Sequence, residues 1–311
     1  MGFFDKTVAA SLKFVPRPLV RRVARQYIAG DTLADAVAEA KRLNASGCMV
    51  TMDLLGEDTR NIEQTEVATT TYLEMLDTIA REGLDANVSV KPSGIGQTFG
   101  EEVFLGHMRT ILAKAKEHGN FVRMDMEDSN TTDRTLSAYR ALRGEGWDNT
   151  GVVLQSMLTR TPADLEAIRP LGPSIRLCKG IYQEPPDRAW QSYEDVNKAF
   201  LGLLRAGLSD RGVYLGIATH DDPILHGAEA LIAELGLSRD QYEFQMLLGV
   251  RPEVRDALVA KGHRVRVYVP WGEDWYAYSV RRLKENPKFA GYITREVLTD
   301  PRRLFGEGGD R

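Results

Sequence analysis

The chain has 311 residues, which is long for one ordinary domain but normal for a single α/β barrel. Hydrophobic residues make up 43% of it, enough for a large core, and the formal net charge of −4 argues against nucleic-acid binding as the main role. The two cysteines lie in separate apolar runs, so we expect free thiols in a reducing compartment and no disulfide framework.

Residues 1–45 are predicted to be an N-terminal helical extension. Residues 1–30 carry six basic side chains against one acidic one, and a basic amphipathic stretch can lie on an anionic membrane surface. A helix packed on the protein with a solvated basic face is the simpler interpretation, which we favour. With no run of eighteen apolar residues and no signal-peptide pattern, we expect a cytoplasmic protein. Peripheral contact with the inner face of the cell membrane stays open.

From residue 48 onward, short apolar runs alternate with longer amphipathic segments. Each short run is rich in β-branched or aromatic residues and is bounded by Gly, Pro, Asn or Asp, which is typical of β-strands. The eight predicted strands span residues 48–55, 86–92, 121–127, 151–157, 174–180, 213–220, 242–247 and 263–269. Helical patterns lie between them, for example over residues 62–82, 195–207 and 222–235.

Eight strands that alternate with helices predict an α/β fold, a closed parallel (βα)8 TIM barrel over residues 46–305. An open doubly wound sheet is the alternative. That fold would normally carry Gly-x-Gly-x-x-Gly after its first strand. The nearest pattern, between Gly94 and Gly100, has the wrong spacing and follows the second strand. Residues 306–311 are predicted to be a disordered tail.

Polar residues stand at the C-terminal end of nearly every predicted strand. In a parallel barrel these ends meet at one rim, where the active sites of barrel enzymes lie. Because removing so many polar groups from water brings no structural benefit, the pattern favours a binding or catalytic site. The residues are Asp53, Glu57, Lys91, Asp125, Glu127, Gln155, Arg176, Lys179, Thr219, His220, Gln245 and Tyr268.

These residues also have ordinary structural interpretations. Lys91 precedes a proline and could be a solvated rim lysine, and Asp125 or Glu127 could cap the following helix. Arg176 and Lys179 point to opposite sides of their strand, so at most one of them is expected in the barrel mouth. A metal site is not expected, because the five histidines form no His-x-x-x-His pair and the cysteines are far apart in sequence.

The helix predicted after the last strand carries a further cluster, which begins at Tyr278. Arg281, Arg282 and Glu285 follow at offsets of three, four and seven residues, so they share its helix face. Two guanidinium groups just beyond a strand end are suited to hold one small carboxylate from two sides. Adjacent arginines on a surface helix are also common without any such role.

The pattern Tyr-x-x-Arg-Arg-Leu-x-Glu-Asn over residues 278–286 resembles the proline dehydrogenase family residue for residue. Further matching segments follow the family order, and the ordered set is much more specific than any single motif. They are residues 90–93, 124–127, 154–156, 176–182, 218–221 and 242–245. The chain is thus similar to monofunctional bacterial members of this family. The resemblance implies a distorted (βα)8 barrel that holds FAD non-covalently, a cofactor that composition does not indicate.

The resemblance also implies roles for individual residues. Arg176 would lie beside the flavin N5 and stabilise the reduced ring, with Asp125 as its catalytic partner. Lys91, Arg281 and Arg282 would hold the substrate carboxylate. The residues implied to wall the substrate ring are Tyr278, Leu247 and Tyr268, and those implied to contact FAD are Met126, Gln155, Arg176, Lys179, Gly180, Ile181, Thr219 and His220.

The implied reaction is the oxidation of L-proline to Δ1-pyrroline-5-carboxylate, the first step of proline catabolism to glutamate. Hydride would pass from C5 of proline to flavin N5, and a membrane quinone would accept the electrons. A separate pyrroline-5-carboxylate/glutamate-semialdehyde dehydrogenase would act downstream. No nucleic-acid partner is expected.

Two other functions stay open on the residues themselves. A Schiff-base aldolase or lyase would use Lys91 or Lys179 at a strand end as its nucleophile. A non-catalytic barrel could use the same cations simply to bind carboxylates.

Overall fold

The computed structural model of the chain describes residue 21 and residues 25–56, 59–276 and 278–279. Its strands are parallel, each pairs with the next in sequence order, and the last pairs with the first to close a barrel. The strands are β1 (Met49–Leu54), β2 (Ala86–Val90), β3 (Val122–Met124), β4 (Thr150–Gln155), β5 (Ser174–Cys178), β6 (Tyr214–Ala218), β7 (Tyr242–Leu247) and β8 (Val265–Trp271). The predicted barrel is confirmed.

The described helices alternate with these strands. They are α1 (Leu33–Ala45), α2 (Ile62–Arg81), α3 (Glu101–Glu117), α4 (Thr132–Gly144), α5 (Thr161–Ile168), α6 (Tyr193–Leu208), α7 (Asp222–Glu234) and α8 (Pro252–Ala260). Side-chain caps fix several starts: Asn61 accepts the N–H of Gln64 at α2, and Ser192 accepts the N–H of Asp195 at α6. The predicted strand 121–127 is longer than β3. After Asp125, whose N–H still donates to Val90 O, the chain leaves the sheet.

The segment before β1 packs against the closing strands of the barrel. Helix α1 buries Ala36, Ala40 and Leu43 against β1 and β8. The rest of the predicted extension, apart from residues 21 and 25–32, lies outside the described residues, as does the predicted tail 306–311. Within the described part of the chain, no helix combines the length and the apolar character needed to cross a bilayer.

The barrel interior is polar, whereas the layer between strands and helices is apolar. Barrel interiors are usually filled by branched apolar side chains. Here buried polar residues of several strands form hydrogen bonds inside the barrel, including Asp53, Ser89, Arg123, Arg176, Glu243 and Gln245. Gly151 leaves space for the buried Arg123 guanidinium, because a Cβ at residue 151 would lie 2.4 Å from Arg123 Nη1. Burial lowers the pKa of Arg123 to about 9.

Candidate active site

A cavity of about 250 Å³ opens at the C-terminal ends of the strands. The cavity lies at the barrel rim where the strand-end residues were expected to meet. Both polar and apolar side chains line it. The lining residues are Lys91, Asp125, Met126, Glu127, Val153, Arg176, Cys178, Ile181, Tyr182, Ala218, His220, Gln245, Met246, Leu247, Tyr268 and Tyr278.

A partly buried ion pair crosses the cavity floor between β5 and the end of β3. Arg176 Nη1 donates to Asp125 Oδ1 at 2.7 Å. Ser89 Oγ donates to the same oxygen at 2.6 Å, and Tyr268 Oη donates to Oδ2 at 3.0 Å. The Arg176 guanidinium also lies 5.1 Å from the centroid of the Tyr268 ring, within range of a cation–π contact. These contacts hold the guanidinium in one orientation.

Gln245 on β7 fixes the other side of the same guanidinium. Arg176 Nε donates to Gln245 Oε1 at 2.6 Å. With Nε and Nη1 engaged, Nη2 makes no hydrogen bond to any residue that the structure describes. Among the described residues, Nη2 is thus the one nitrogen of the Arg176 guanidinium without a hydrogen-bond partner.

Lys91, on the other side of the cavity, is paired with a fully buried carboxylate. Its Nζ donates to Asp53 Oδ1 at 2.5 Å and to Oδ2 at 2.6 Å. Burial raises the pKa of Asp53 to about 6, with a smaller contribution from Asp125, while Lys91 opposes the rise. The ion pair keeps the ammonium at the mouth of the barrel.

Glu127 lines the cavity, but its carboxylate also organises the adjacent loop. It accepts the Ser93 N–H at 2.9 Å and the Ser93 hydroxyl at 2.5 Å. Gln155 is buried beneath this loop, where its Nε2 donates to Glu127 O at 2.8 Å. Glu127 thus binds the loop after β2. The alternative interpretation was that it caps the helix after β3.

Lys179 and Thr219 form a second cluster beside the cavity, at the ends of β5 and β6. Lys179 Nζ donates to Asp221 Oδ2 at 2.6 Å and lies 4.5 Å from the Tyr193 ring centroid. Tyr193 Oη donates to the same carboxylate oxygen at 2.6 Å. Thr219 Oγ1 accepts the Asp221 N–H at 3.1 Å. Neither Lys179 nor Thr219 lines the cavity, so of Arg176 and Lys179 only the arginine does.

His220 accepts a hydrogen bond from the backbone, and Gly180 has a backbone conformation that favours glycine. His220 Nε2 accepts the Leu247 N–H at 2.9 Å, which places the ring proton of the neutral imidazole on Nδ1. Gly180 has φ of 105°, a conformation that favours glycine, and a Cβ there would lie 2.5 Å from Met157 Sδ. Substitution of Gly180 would therefore strain the backbone and displace Met157.

The structure gathers most of the predicted site residues around one cavity and leaves others beside it. Those that line the cavity are Lys91, Asp125, Met126, Arg176, Ile181, His220, Leu247, Tyr268 and Tyr278. Those that are described but do not line it are Gln155, Lys179, Gly180 and Thr219. Arg281 and Arg282, together with Glu57 and Glu285, lie outside the described residues.

Several residues of the site were not among those that the sequence patterns indicated. Ser89 contacts both members of the Asp125–Arg176 pair, and Cys178 and Tyr182 line the cavity. A signal for Ser89 was present, because it lies two residues before Lys91 within the predicted strand 86–92 and so was expected to face the same side. Tyr182 lies in the irregular loop after β5, where alternation gives no guidance.

Comparison with known proteins identifies the family. The model of the proline dehydrogenase family matches residues 36–295. The chain belongs to the proline dehydrogenase family. It is 37% identical over 286 residues to proline dehydrogenase 1 of Bacillus subtilis strain 168, covering 92% of this chain and 94% of that protein. Identity to the proline dehydrogenase of Deinococcus radiodurans is 36% over 301 residues, covering 93% and 97%.

Solved structures of longer proteins share the fold of this family member. A crystal structure of proline utilization A from Bdellovibrio bacteriovorus, inactivated by N-propargylglycine, matches with a TM-score of 0.79 at 20% identity. The match covers 90% of this chain and 34% of that one. A structure of the same protein from Bradyrhizobium japonicum matches with a TM-score of 0.73, covering 91% and 33%. The chain therefore corresponds to about a third of these proteins, and the likeness concerns the barrel.

Proposed function

We propose that this oxidoreductase oxidises L-proline to Δ1-pyrroline-5-carboxylate with FAD as its cofactor, the first step of proline catabolism. The observation that carries the proposal is Arg176, a cation held from two sides in a partly apolar cavity that also contains Lys91. One cation can serve a redox cofactor and the other can serve a substrate carboxylate. Membership of the family supports both the reaction and a flavin.

The residues present fit a flavin. Arg176 Nη2 has no partner among the described residues, and the neighbouring wall is apolar, with Met126, Val153 and Leu247. A planar, electron-accepting ring needs such apolar walls and a cation near the position where negative charge develops. Bound there, FAD would supply the acceptor for the two electrons that leave proline.

We assign the predicted cofactor contacts to two groups. Met126, Arg176, Ile181 and His220 would hold the part of FAD that enters the cavity. The residues beside the cavity, Gln155, Lys179, Gly180 and Thr219, would hold the part that extends beyond it. Asp125 would act through Arg176, because its carboxylate fixes the guanidinium.

Proline would be bound through its carboxylate. Lys91, Arg281 and Arg282 are proposed to hold that group, while Tyr278, Leu247 and Tyr268 wall the pyrrolidine ring. Fixing the substrate in this way can contribute ~7–11 kcal/mol to rate acceleration. The proline nitrogen must be neutral for hydride to leave C5, so activity should rise with pH.

A membrane quinone is proposed as the electron acceptor, which requires peripheral contact between this cytoplasmic protein and the membrane. The product would pass, after hydrolysis, to a separate pyrroline-5-carboxylate/glutamate-semialdehyde dehydrogenase.

The Schiff-base alternative is disfavoured by the ion pairs of both candidate lysines. Lys91 is bonded to both oxygens of Asp53, and Lys179 is bonded to Asp221. An ammonium held by a carboxylate is not a nucleophile, since imine formation needs the free amine.

The visible absorption spectrum tests the proposal directly. The purified protein should show flavin bands that L-proline bleaches without oxygen and that a quinone analogue restores. Denaturation should release the flavin. A protein that is colourless and takes up no added FAD would overturn the assignment, and a bound flavin that proline does not reduce would overturn the substrate.

A further inference from the structure

We infer that Glu243 is a positioning residue that sets the orientation of Arg176 by fixing the side-chain amide of Gln245. Glu243 lies on β7, two residues before Gln245 and one layer deeper in the barrel. It was not among the predicted site residues and does not line the cavity. This inference rests on the proposed role of Arg176.

The three side chains form one hydrogen-bonded relay. Gln245 Nε2 donates to Glu243 Oε1 at 2.6 Å, and Gln245 Oε1 accepts from Arg176 Nε at 2.6 Å. Arg176 then continues to Asp125 through Nη1. The relay therefore joins a buried carboxylate in the barrel interior to the cation at the cavity floor.

The chemistry of the end groups permits only one orientation of the Gln245 amide. An ionised carboxylate only accepts hydrogen bonds, and a guanidinium nitrogen only donates them. A flipped amide would place its NH₂ against Arg176 Nε and its oxygen against the Glu243 carboxylate, so both contacts would become repulsive. Glu243 thus selects the amide orientation that presents an acceptor to Arg176.

Glu243 is held in the ionised form that this selection requires. Burial opposes its ionisation. Arg266, whose Nε donates to Glu243 Oε1 at 2.8 Å, and the hydrogen bonds of Gln245 and Tyr214 outweigh burial and lower its pKa to about 2. Tyr214 Oη donates to the other oxygen, Oε2, at 2.9 Å.

Gly216 is independent evidence that the barrel keeps space for the Gln245 amide in this position. It pairs with Glu243 across β6 and β7, and a Cβ there would lie 2.4 Å from Gln245 Nε2. Only a glycine leaves space for the amide between Glu243 and Arg176. Gly216→Ala would push that amide aside without changing any charge. The Gln245 side chain is long and flexible, so it can move to accommodate the added methyl group.

The test compares variants that break the relay with one that spares it. Glu243→Gln removes the selection, because an amide both donates and accepts, and Gly216→Ala displaces Gln245. Tyr214→Phe is the matched control, since it removes a hydrogen bond to Glu243 at Oε2 and leaves the Gln245 contact intact. If Glu243→Gln fails to fold, the double variant Glu243→Met/Arg266→Met takes its place, because it removes both charges of the Glu243–Arg266 ion pair.

Two readouts do not depend on proline. The reduction potential of the bound flavin, titrated with a chemical reductant, should become more negative in the relay variants and stay unchanged in Tyr214→Phe. In the cofactor-free protein, the Arg176 Nε–H resonance, assigned by its loss in Arg176→Met, should shift and exchange faster in the relay variants alone. Turnover with proline should fall by up to about 100-fold in kcat, with a smaller change in KM.

A double-mutant comparison separates positioning from general damage. In an Arg176→Met background, Glu243→Gln and Gly216→Ala should lower kcat no further. An equal loss in both backgrounds, an unchanged Arg176 resonance, or the same effect from Tyr214→Phe would each overturn the inference. Reduction of the wild-type flavin by proline is judged separately, so failure of the relay leaves the proposed function intact.

Discussion

Both carboxylate oxygens of Asp53 accept hydrogen bonds from the Lys91 ammonium, and both residues are buried, with Lys91 lining the cavity. An anionic ligand of Lys91 would therefore compete with a carboxylate that is already present. Because the pKa of Asp53 is raised to about 6, this competition falls within an accessible pH range. Above that value the Asp53 carboxylate neutralises the Lys91 ammonium, and below it protonated Asp53 no longer competes with an anionic ligand for that charge.

We therefore predict that binding of tetrahydrofuran-2-carboxylate tightens as pH falls from 7.5 to 5.5. A bound anion that raises the pKa of Asp53 by one unit would lower Kd by about tenfold on the acid side. The ligand stays ionised over this range, so its own titration does not interfere. Asp53→Asn should bind tightly at pH 7.5 and lose the dependence. Calorimetric Kd values that are flat with pH in the wild type would contradict the prediction.

Replacement of Arg176 by methionine should affect reduction more than binding. The substitution preserves side-chain length but removes the charge that Asp125 and Gln245 hold at the cavity floor. We expect a large fall in the rate of flavin reduction by proline, measured by stopped flow, and a more negative flavin potential. If only the affinity for proline changes, the proposed role of Arg176 is wrong.

Arg281 and Arg282 lie outside the described residues, so their prediction rests on the sequence. If both hold the substrate carboxylate, removing either leaves an anion half paired, which typically costs ~2–5 kcal/mol. Arg281→Met and Arg282→Met should each raise KM for proline sharply and weaken carboxylate inhibitors in parallel. Lys284→Met is the control, because the sequence predicts Lys284 on another helix face. If the variants weaken the binding of pyrrolidine, which has no carboxylate, to the same extent, the two arginines do not hold the carboxylate.

Gly180→Ala should destabilise the protein through two separate effects. Its φ of 105° costs an alanine about 1–2 kcal/mol, and the contact with Met157 adds about 1–3 kcal/mol of overpacking. Gly146→Ala is the matched control, because Gly146 also has a positive φ, 87°, but a Cβ there would meet nothing within 4 Å. Urea unfolding should show the larger loss for Gly180→Ala, with lower flavin content. Equal losses would mean that Met157 simply moves away.

The order of the strands and helices was predictable because it depends on local patterns. All eight strands occur where alternating apolar runs predicted them, and α2 and α7 match their predicted spans to within one residue. Alternation along a strand also gives the facing of its neighbours: Arg176 and Cys178 on β5 line the cavity, while Leu177 and Lys179 do not. These features need only the period of a strand and the closure of a parallel barrel.

Pairing across the barrel depends on the tertiary structure, and only the Arg176–Asp125 partnership was expected beforehand, from the family resemblance. Arg176 contacts Asp125, 51 residues earlier, and Gln245, 69 residues later, and no local pattern encodes either choice. The same holds for the polar interior, since Glu243 and Arg266 lie within predicted strands but were not among the predicted site residues. A buried charge is tolerated only beside a partner with suitable geometry, and that partner is fixed by strand register and barrel closure. The sequence by itself thus determined the family, the barrel and the set of reactive groups, whereas the folded barrel determined which of those groups act together.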